Sequence, residues 1–341
     1  MKLPRRGGRI VLTFALIFLT ALAVVAGFAA WLVAGMPGAS HRGPLPPLDA
    51  ATAQLADRLE AHVLAVASEE HNVVRPEALE RSARYIEASL SALGYAVRRQ
   101  EFETGGVNVR NLEAAISGDA AGPAAVVVVG AHYDSRAGAV GANDNGSGVA
   151  ALLELARMLK DFRPANGVEL RLVFYVNEEE PYARTEHMGS LVHADALASA
   201  GRQVLAMISL ETIGYYSDEP GSQRYPAPLS LLYPRTGDFI GFVGNLRSRR
   251  LVRRAVGSFR AHAAFPAEGG ALPDFIPDAG RSDHWAYWRH GWLALMVTDT
   301  APFRYPHYHT PRDTPDKLDY ERLARVVNGL EGMLRDLTAS R

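Results

Sequence analysis

The sequence predicts an α/β protein: a mixed, mostly parallel twisted sheet covered by helices on both faces, preceded by one N-terminal transmembrane helix. Three observations lead there. Apolar runs such as "AAVVVVGAHY", "VELRLVFYVN" and "QVLAMISLETIGY" have the length and continuity of strands buried on both faces. Stretches with apolar residues three and four apart separate them, as helices crossing over a parallel sheet require. Ahead of both, Ile10 to Met36 contains no charged residue.

That first segment exceeds the ~20 apolar residues needed to cross a bilayer. Lys2, Arg5, Arg6 and Arg9 precede it and only Arg42 follows closely, so residues 1–9 are expected in the cytoplasm and the remainder outside. The competing reading is a cleaved signal peptide, whose apolar region usually runs only about 7–15 residues. The greater length here favours an uncleaved anchor over residues 10–36. Residues 37–48, rich in proline and glycine, read as a stalk. The folded domain is expected over residues 49–341.

Within that domain, Ala50 to Ala67 and Pro76 to Leu93 read as amphipathic helices; Leu79, Ala83, Ile86, Leu90 and Leu93 share one face of the second. "YAVRRQEF" and "VNVRNLEAAI" read as strands, followed by the buried strand "AAVVVVGAHY" and a helix from Gly146 to Leu159. Strand "VELRLVFYVN", a helix from Met188 to Ala200, strand "QVLAMISLETIGY", strand "LALMVTD" and a final helix from Tyr320 to Leu337 complete the alternation. Ser217 to Arg281 is less regular, with one expected helix over "FVGNLRSRRLVRRAVGSFRAH". Its Arg247, Arg249, Arg250, Arg253 and Arg254 read first as a solvated face and second as a contact for anionic lipid or an acidic substrate.

Basic and acidic residues nearly balance at 36 against 37, which gives no support to a nucleic-acid partner. Cysteine is absent, so disulfides, thiolate metal sites and cysteine nucleophiles are excluded together. Any metal must be held by His, Asp or Glu.

Ligands of open parallel sheets bind beyond the carboxyl ends of the strands. Four strands carry chemistry there: His132 and Asp134, with Asp144 at the next helix start; Glu178, Glu179 and Glu180; Glu211; and His307 with His309. Singly these read as a hydrogen-bonded histidine, a helix cap or exposed acids. Glu211, inside an apolar strand, resists that reading, because buried carboxylates need a partner or a metal. Two imidazoles and several carboxylates without sulfur suit zinc, with cobalt or manganese as alternatives. The surplus of carboxylates favours two ions sharing one of them.

The ordered motifs "AHYDS", "GANDNGSG", "NEEE" with "MGS", "SLETIG", "RSDH" and "HYHTPRDT" resemble the co-catalytic di-zinc aminopeptidase family. That family comprises enzymes of the bacterial leucyl aminopeptidase and aminopeptidase Y type, with glutamate carboxypeptidase and glutaminyl cyclase as distant members. The resemblance covers the chain from about Asp49 onward and implies a sheet of the zinc-exopeptidase type. It implies His132 and Glu211 on one zinc, Glu179 and His309 on the other, and Asp144 bridging both. Glu178 would be the general base that takes a proton from water, and Asp134 would orient the His132 imidazole. A cis peptide bond from Asp144 to Asn145 is implied as well.

Three departures stand out. Glu211 occupies a place where many relatives carry Asp; Glu180 adds a third acid beside the pair; and "PDAGR" stands where some relatives carry an oxyanion-steadying tyrosine, leaving Arg281, Tyr305 or Tyr308 for that task. Ser282, Asp283 and His284 are adjacent and cannot form a hydrolase triad; they are expected to shape the pocket wall. Tyr225, Tyr233, Phe239, Phe265 and Phe275 are expected to line a pocket for an apolar first residue. The implied activity is release of N-terminal residues from a peptide substrate. The alternatives are a carboxypeptidase, a glutaminyl cyclase, or a non-catalytic receptor-like ectodomain.

Overall fold

The computed structural model describes residues 6–118, 125–273 and 275–339; Lys2, Arg5 and Ala124 lie outside them. Helix α1 (Arg6–Ala34) comes first. Its stretch Leu12–Ala34 is apolar but for Thr13 and Thr20, and none of its residues is fully buried, although Leu32 to Ala34 are partly covered. Asp49 then caps α2 (Ala50–Val66), its side chain accepting the Thr52 N–H at 2.7 Å. Helix α3 (Pro76–Ala92) starts on a proline and buries Leu79, Ala83, Ile86 and Leu90.

Strands β1 (Arg98–Thr104) and β2 (Val107–Ser117) form a hairpin. There follow β3 (Ala125–His132), α4 (Gly148–Leu159), β4 (Val168–Tyr175), α5 (Gly189–Ser199) and β5 (Gln203–Glu211). Next come β6 (Ile240–Asn245), α6 (Arg249–His262), β7 (Ala267–Leu272), α7 (His284–Arg289), β8 (Ala294–Thr298), the single turn α8 (Ala301–Arg304) and α9 (Tyr320–Ala339). The eight strands make one sheet in the order β1-β2-β4-β3-β5-β8-β6-β7. The pairs β3/β4, β3/β5, β5/β8 and β6/β7 are parallel. The pairs β1/β2, β2/β4 and β6/β8 are antiparallel. The sheet is thus mixed and mostly parallel at its centre, as expected.

Every residue of β3, β4 and β8 is buried; β3 and β8 are apolar up to their last residue, and β4 buries Glu169 and Arg171 as an ion pair at 2.6 Å. On one face, Leu59, Val63, Ile86, Leu152, Leu155, Phe259 and Leu330 draw α2, α3, α4, α6 and α9 into a single core. On the other, Leu191, Leu197, Ala286 and Tyr287 of α5 and α7 cover Val126, Val128 and Val173.

The interval from Ser217 to Arg281 differs from expectation. Phe242 to Asn245 opens no helix but belongs to β6, and α6 starts only at Arg249. Both β6 and β7 carry two glycines, so neither presents the apolar run that marks the other strands. Their state is set by pairing, β6 lying between β8 and β7.

One ionic contact ties α2 to α4. Glu154 accepts from Arg58 at 3.0 Å and Arg157 at 2.8 Å and contacts His62 at 3.3 Å. Burial opposes its ionisation, but these bonds outweigh it and hold the carboxyl down at about 2. A depressed carboxylate adds stability that is present above its unfolded value near 4.5 and lost as pH falls toward 2. Because both arginines are partly exposed, the contribution is roughly 1–2 kcal/mol. Glu154→Gln is therefore expected to flatten the acid limb of a Tm-versus-pH curve between about pH 5 and 2; an unchanged limb would remove Glu154 from acid stability.

Candidate metal centre

The carboxyl ends of three parallel strands bring the predicted residues together. His132 ends β3, Glu211 ends β5, and Glu178 with Glu179 follows β4. Asp144 sits in the irregular turn Ala142–Ser147 that leads into α4, and Gly141, at φ 76, starts that turn in a conformation costly for a side chain. His309 arrives from the loop after α8. The backbone is unusual next to these groups: Asn177 (φ 63), Thr212 (φ 46) and His309 (φ 56) are left-handed without being glycine. Such conformations cost of order 1–3 kcal/mol and persist where the surroundings enforce them. The Asp144–Asn145 bond is cis, as the resemblance implied.

Two clusters result, sharing Asp144: His132, Asp144 and Glu211; and Asp144, Glu179 and His309. The His132 Nε2 lies 3.3 Å from Asp144 Oδ1 and 3.4 Å from Glu211 Oε2. The His309 Nε2 lies 2.9 Å from Asp144 Oδ2 and 3.1 Å from Glu179 Oε1. Ligand atoms 2.0–2.2 Å from a tetrahedral ion stand about 3.3–3.6 Å from one another. His132 Nε2, Asp144 Oδ2 and Glu179 Oε1 are buried with no aligned hydrogen-bond partner. Close, converging and unpaired lone pairs are what a cation would satisfy, so the donor set fits divalent metal.

The electrostatics agree. Burial opposes protonation of His132, yet Glu211, Asp134 and Asp144 raise its imidazolium well above the ordinary range. Burial likewise opposes His309, and Asp144 with Glu179 lifts it to about 9. Burial pushes Glu211 up to about 8 despite His132, with Asp144 adding repulsion and Ser282 relieving it. Glu178 is raised well above the carboxylate range by burial and by the charges of Glu211, Glu179 and Asp283, against the pull of His132. Without a cation the positive charge facing these carboxylates is that of protons on the histidines and of Arg136, whose Nη1 lies 3.6 Å from Glu179 Oε2.

Around these groups lies a hydrogen-bonded scaffold. The His132 Nδ1 donates to the main-chain oxygen of Asp134 at 3.0 Å, which leaves the Nε2 lone pair facing the cluster. The Asp134 carboxylate stands farther away, 3.6 Å from Nδ1. It instead accepts the N–H groups of Glu178 at 3.1 Å and Glu179 at 3.2 Å, so it fixes the acidic pair as well. Ser282 donates to Glu211 Oε2 at 2.8 Å. Asp283 is fully buried, and His284 Nε2 contacts the Ala279 carbonyl at 2.8 Å; the three adjacent residues form no triad. Glu180 is exposed, and His307 belongs to neither cluster.

Asp313 escaped the sequence reading. It accepts the N–H of Asn143 at 2.8 Å and of Asp144 at 3.1 Å, and the Tyr305 hydroxyl at 2.8 Å. The only signal was its place in "HTPRDT", which says nothing of a clasp on a turn some 170 residues earlier. Groups that hold a metal ligand in place in this way typically carry 10–100-fold in metal affinity. Asp313→Ala is expected to weaken metal binding by about that factor, measured by competition with a chromogenic chelator; unchanged affinity would make the clasp purely structural.

Tyr305 is thereby committed to Asp313, whereas Tyr308, stacked on His309 at 3.8 Å between ring centroids, faces the carboxylates. Arg281 is half exposed beside Asp278 at 3.4 Å. Two openings meet at the cluster. One, lined by Glu178, Glu179, Arg136 and His309, is polar. The other, about 910 Å³ including its open mouth, is lined by Tyr225, Tyr233, Phe239, Leu272, Ile276 and Met296 beside Glu211 and Tyr308. Phe265 and Phe275 do not line it as expected: Phe265 is core, edge-on to Tyr216, and Phe275 is exposed.

Sheet order, helical layers and a carboxylate–imidazole cluster at the strand ends define an α/β protein with the groups to bind divalent metal in a cleft. The chain belongs to peptidase family M28, whose sequence profile matches residues 111–332. It is 43% identical over 265 residues to the uncharacterized protein YfbL of Escherichia coli K12, covering 75% of this chain and 80% of that protein. A probable leucine aminopeptidase of Arthroderma benhamiae is 28% identical over 223 residues; the match takes in 62% of this chain and 53% of the relative, about half its length. In fold, the chain is similar to the aminopeptidase LapA of Legionella pneumophila (TM-score 0.66, 16% identity, 88% of this chain and 78% of that one). It is also similar to the glutaminyl cyclase of Fimbriiglobus ruber (TM-score 0.60, 22% identity, 87% and 98%).

Proposed function

We propose that this chain is a membrane-anchored aminopeptidase that uses two zinc ions and a glutamate base to remove N-terminal residues from peptides. The observation that carries it is the pair of three-residue clusters sharing Asp144, with Glu178 beside them but in neither. His132 and Glu211 would hold one ion, Glu179 and His309 the other, and Asp144 both. Bound there, the ions would supply Lewis acidity that acidifies water and polarises a carbonyl. Glu178, whose Oε2 is 3.9 Å from His132 Nε2, takes the water proton and returns it to the leaving amine. The Tyr308 hydroxyl is the best placed of the three candidates to steady the oxyanion.

A free N-terminus would be held near Glu179 and Glu180, and its side chain would enter the aromatic cleft, whose lining favours an apolar residue. Helix α1 would anchor the enzyme, with its basic N-terminal residues in the cytoplasm and the peptidase domain outside. A glutaminyl cyclase is the second reading, favoured by the shared fold. The full complement of carboxylates around Asp144 supports two ions and hydrolysis instead.

The test is a panel of peptides with free and blocked N-termini, assayed with and without chelator. The proposal predicts release of the first residue from free N-termini only, abolished by chelator and restored by zinc. Cleavage from the carboxyl end, or conversion of N-terminal glutamine to pyroglutamate without hydrolysis, would overturn it.

A further inference from the structure

Six arginines and no acid occupy Leu246 to His262, at the turn into α6 and along it. They divide into two stripes. Arg249, Arg253 and Arg260 face the chain as it leaves α1. Arg249 donates to the carbonyls of Leu32 at 2.6 Å and Trp31 at 3.2 Å, and its guanidinium lies 4.4 Å from the Trp31 ring centroid. Arg253 donates to the Gly35 carbonyl, and Arg260 to those of Pro37 and Gly38, both at 3.0 Å. Carbonyls of a helix's last turn lack an intrahelical partner; Trp31 already accepts the Gly35 N–H at 2.9 Å, so Arg249 completes the cap at Leu32 while Arg253 holds Gly35 just beyond the helix. Gly257 permits the contact, since a Cβ there would come within 2.9 Å of Pro37.

This clasp sets a height. The 23 residues Leu12–Ala34, apolar but for Thr13 and Thr20, are about 35 Å long as a helix and exceed the ~30 Å hydrocarbon layer, which leaves room for Trp31 to Ala34 to lie among the headgroups. Trp31 is half exposed, as a residue of the membrane interface would be. The start of α6 is bonded to Trp31 and Leu32 and therefore lies at that same level. The second stripe is Arg247, Arg250 and Arg254, all exposed, with Arg254 acting on Asp336. Leu246, next to Arg247, is exposed too.

We propose that Arg247 and Arg250, supported by Arg254, bind the anionic phospholipid headgroups of the leaflet from which α1 emerges, so that the domain is docked on the bilayer and does not swing on a free stalk. The inference rests on the reading of α1 as an uncleaved anchor. A charged lipid surface is the partner this position brings to the stripe, and each arginine close to such a surface changes the docked-to-undocked ratio by about fivefold.

The test uses the full chain. Its lack of cysteine lets Leu246→Cys carry a single fluorophore. The protein is reconstituted into phosphatidylcholine vesicles with or without phosphatidylglycerol, containing a headgroup-located quencher lipid. Flotation after an alkaline wash reads the anchor; quenching reads docking. Strong quenching is expected with phosphatidylglycerol, and Arg247→Glu with Arg250→Glu should lower the docked-to-undocked ratio more than tenfold while flotation and Tm stay unchanged. Loss of flotation in the unsubstituted chain would refute the anchor and the docking with it. Flotation retained with quenching indifferent to lipid charge, or to the two substitutions, would refute docking alone.

Discussion

Glu178→Gln is expected to lower kcat/KM for peptide hydrolysis by about 10²–10⁴-fold, the usual worth of a positioned general base, with metal content unchanged. The residue stands beside both clusters without belonging to either. Its N–H is held by Asp134, and its side chain is mostly buried, facing the polar opening. Burial and neighbouring carboxylates raise its affinity for a proton, and that is the property a base requires. Glutamine keeps the shape and the backbone contact to Asp134 while losing the ability to accept. Assay of hydrolysis together with elemental analysis checks this; full activity in the variant would take Glu178 out of the reaction.

Asp144→Ala is expected to cost more, because a single carboxylate serves both clusters. Its two oxygens face different histidines, Oδ1 toward His132 and Oδ2 toward His309. Removing it should strip both sites, with a loss of affinity beyond the 10–100-fold expected of a group that only holds a ligand in place. His309→Ala should impair one cluster only. Zinc that binds the native chain must raise its Tm by mass action. That rise should vanish in Asp144→Ala and persist, reduced, in His309→Ala. An undiminished zinc-dependent rise in Asp144→Ala would refute the shared carboxylate.

Much of this was legible because physics writes it locally. Strands β3 and β8 are buried along their whole length and are apolar up to their last residue, and Glu211 stood out in the same way at the end of the mostly buried and apolar β5. The spacing of Leu79, Ala83, Ile86 and Leu90 gave α3 within a residue of its observed end. What stayed hidden depends on distant partners. Strands β6 and β7 are glycine-rich and exist through pairing. The Asp313 clasp and the double duty of Asp134 are loop-to-loop contacts with no periodicity behind them. Arg249 and Arg253, read with their neighbours as a solvated face, instead hold the exit of α1.

The most direct test of the central claim is anomalous diffraction at the zinc edge from crystals of the zinc-loaded protein. The prediction is two peaks per chain, one against His132 and Glu211, the other against Glu179 and His309, with Asp144 touching both. A single peak, or two peaks with Asp144 bound to only one, would contradict it.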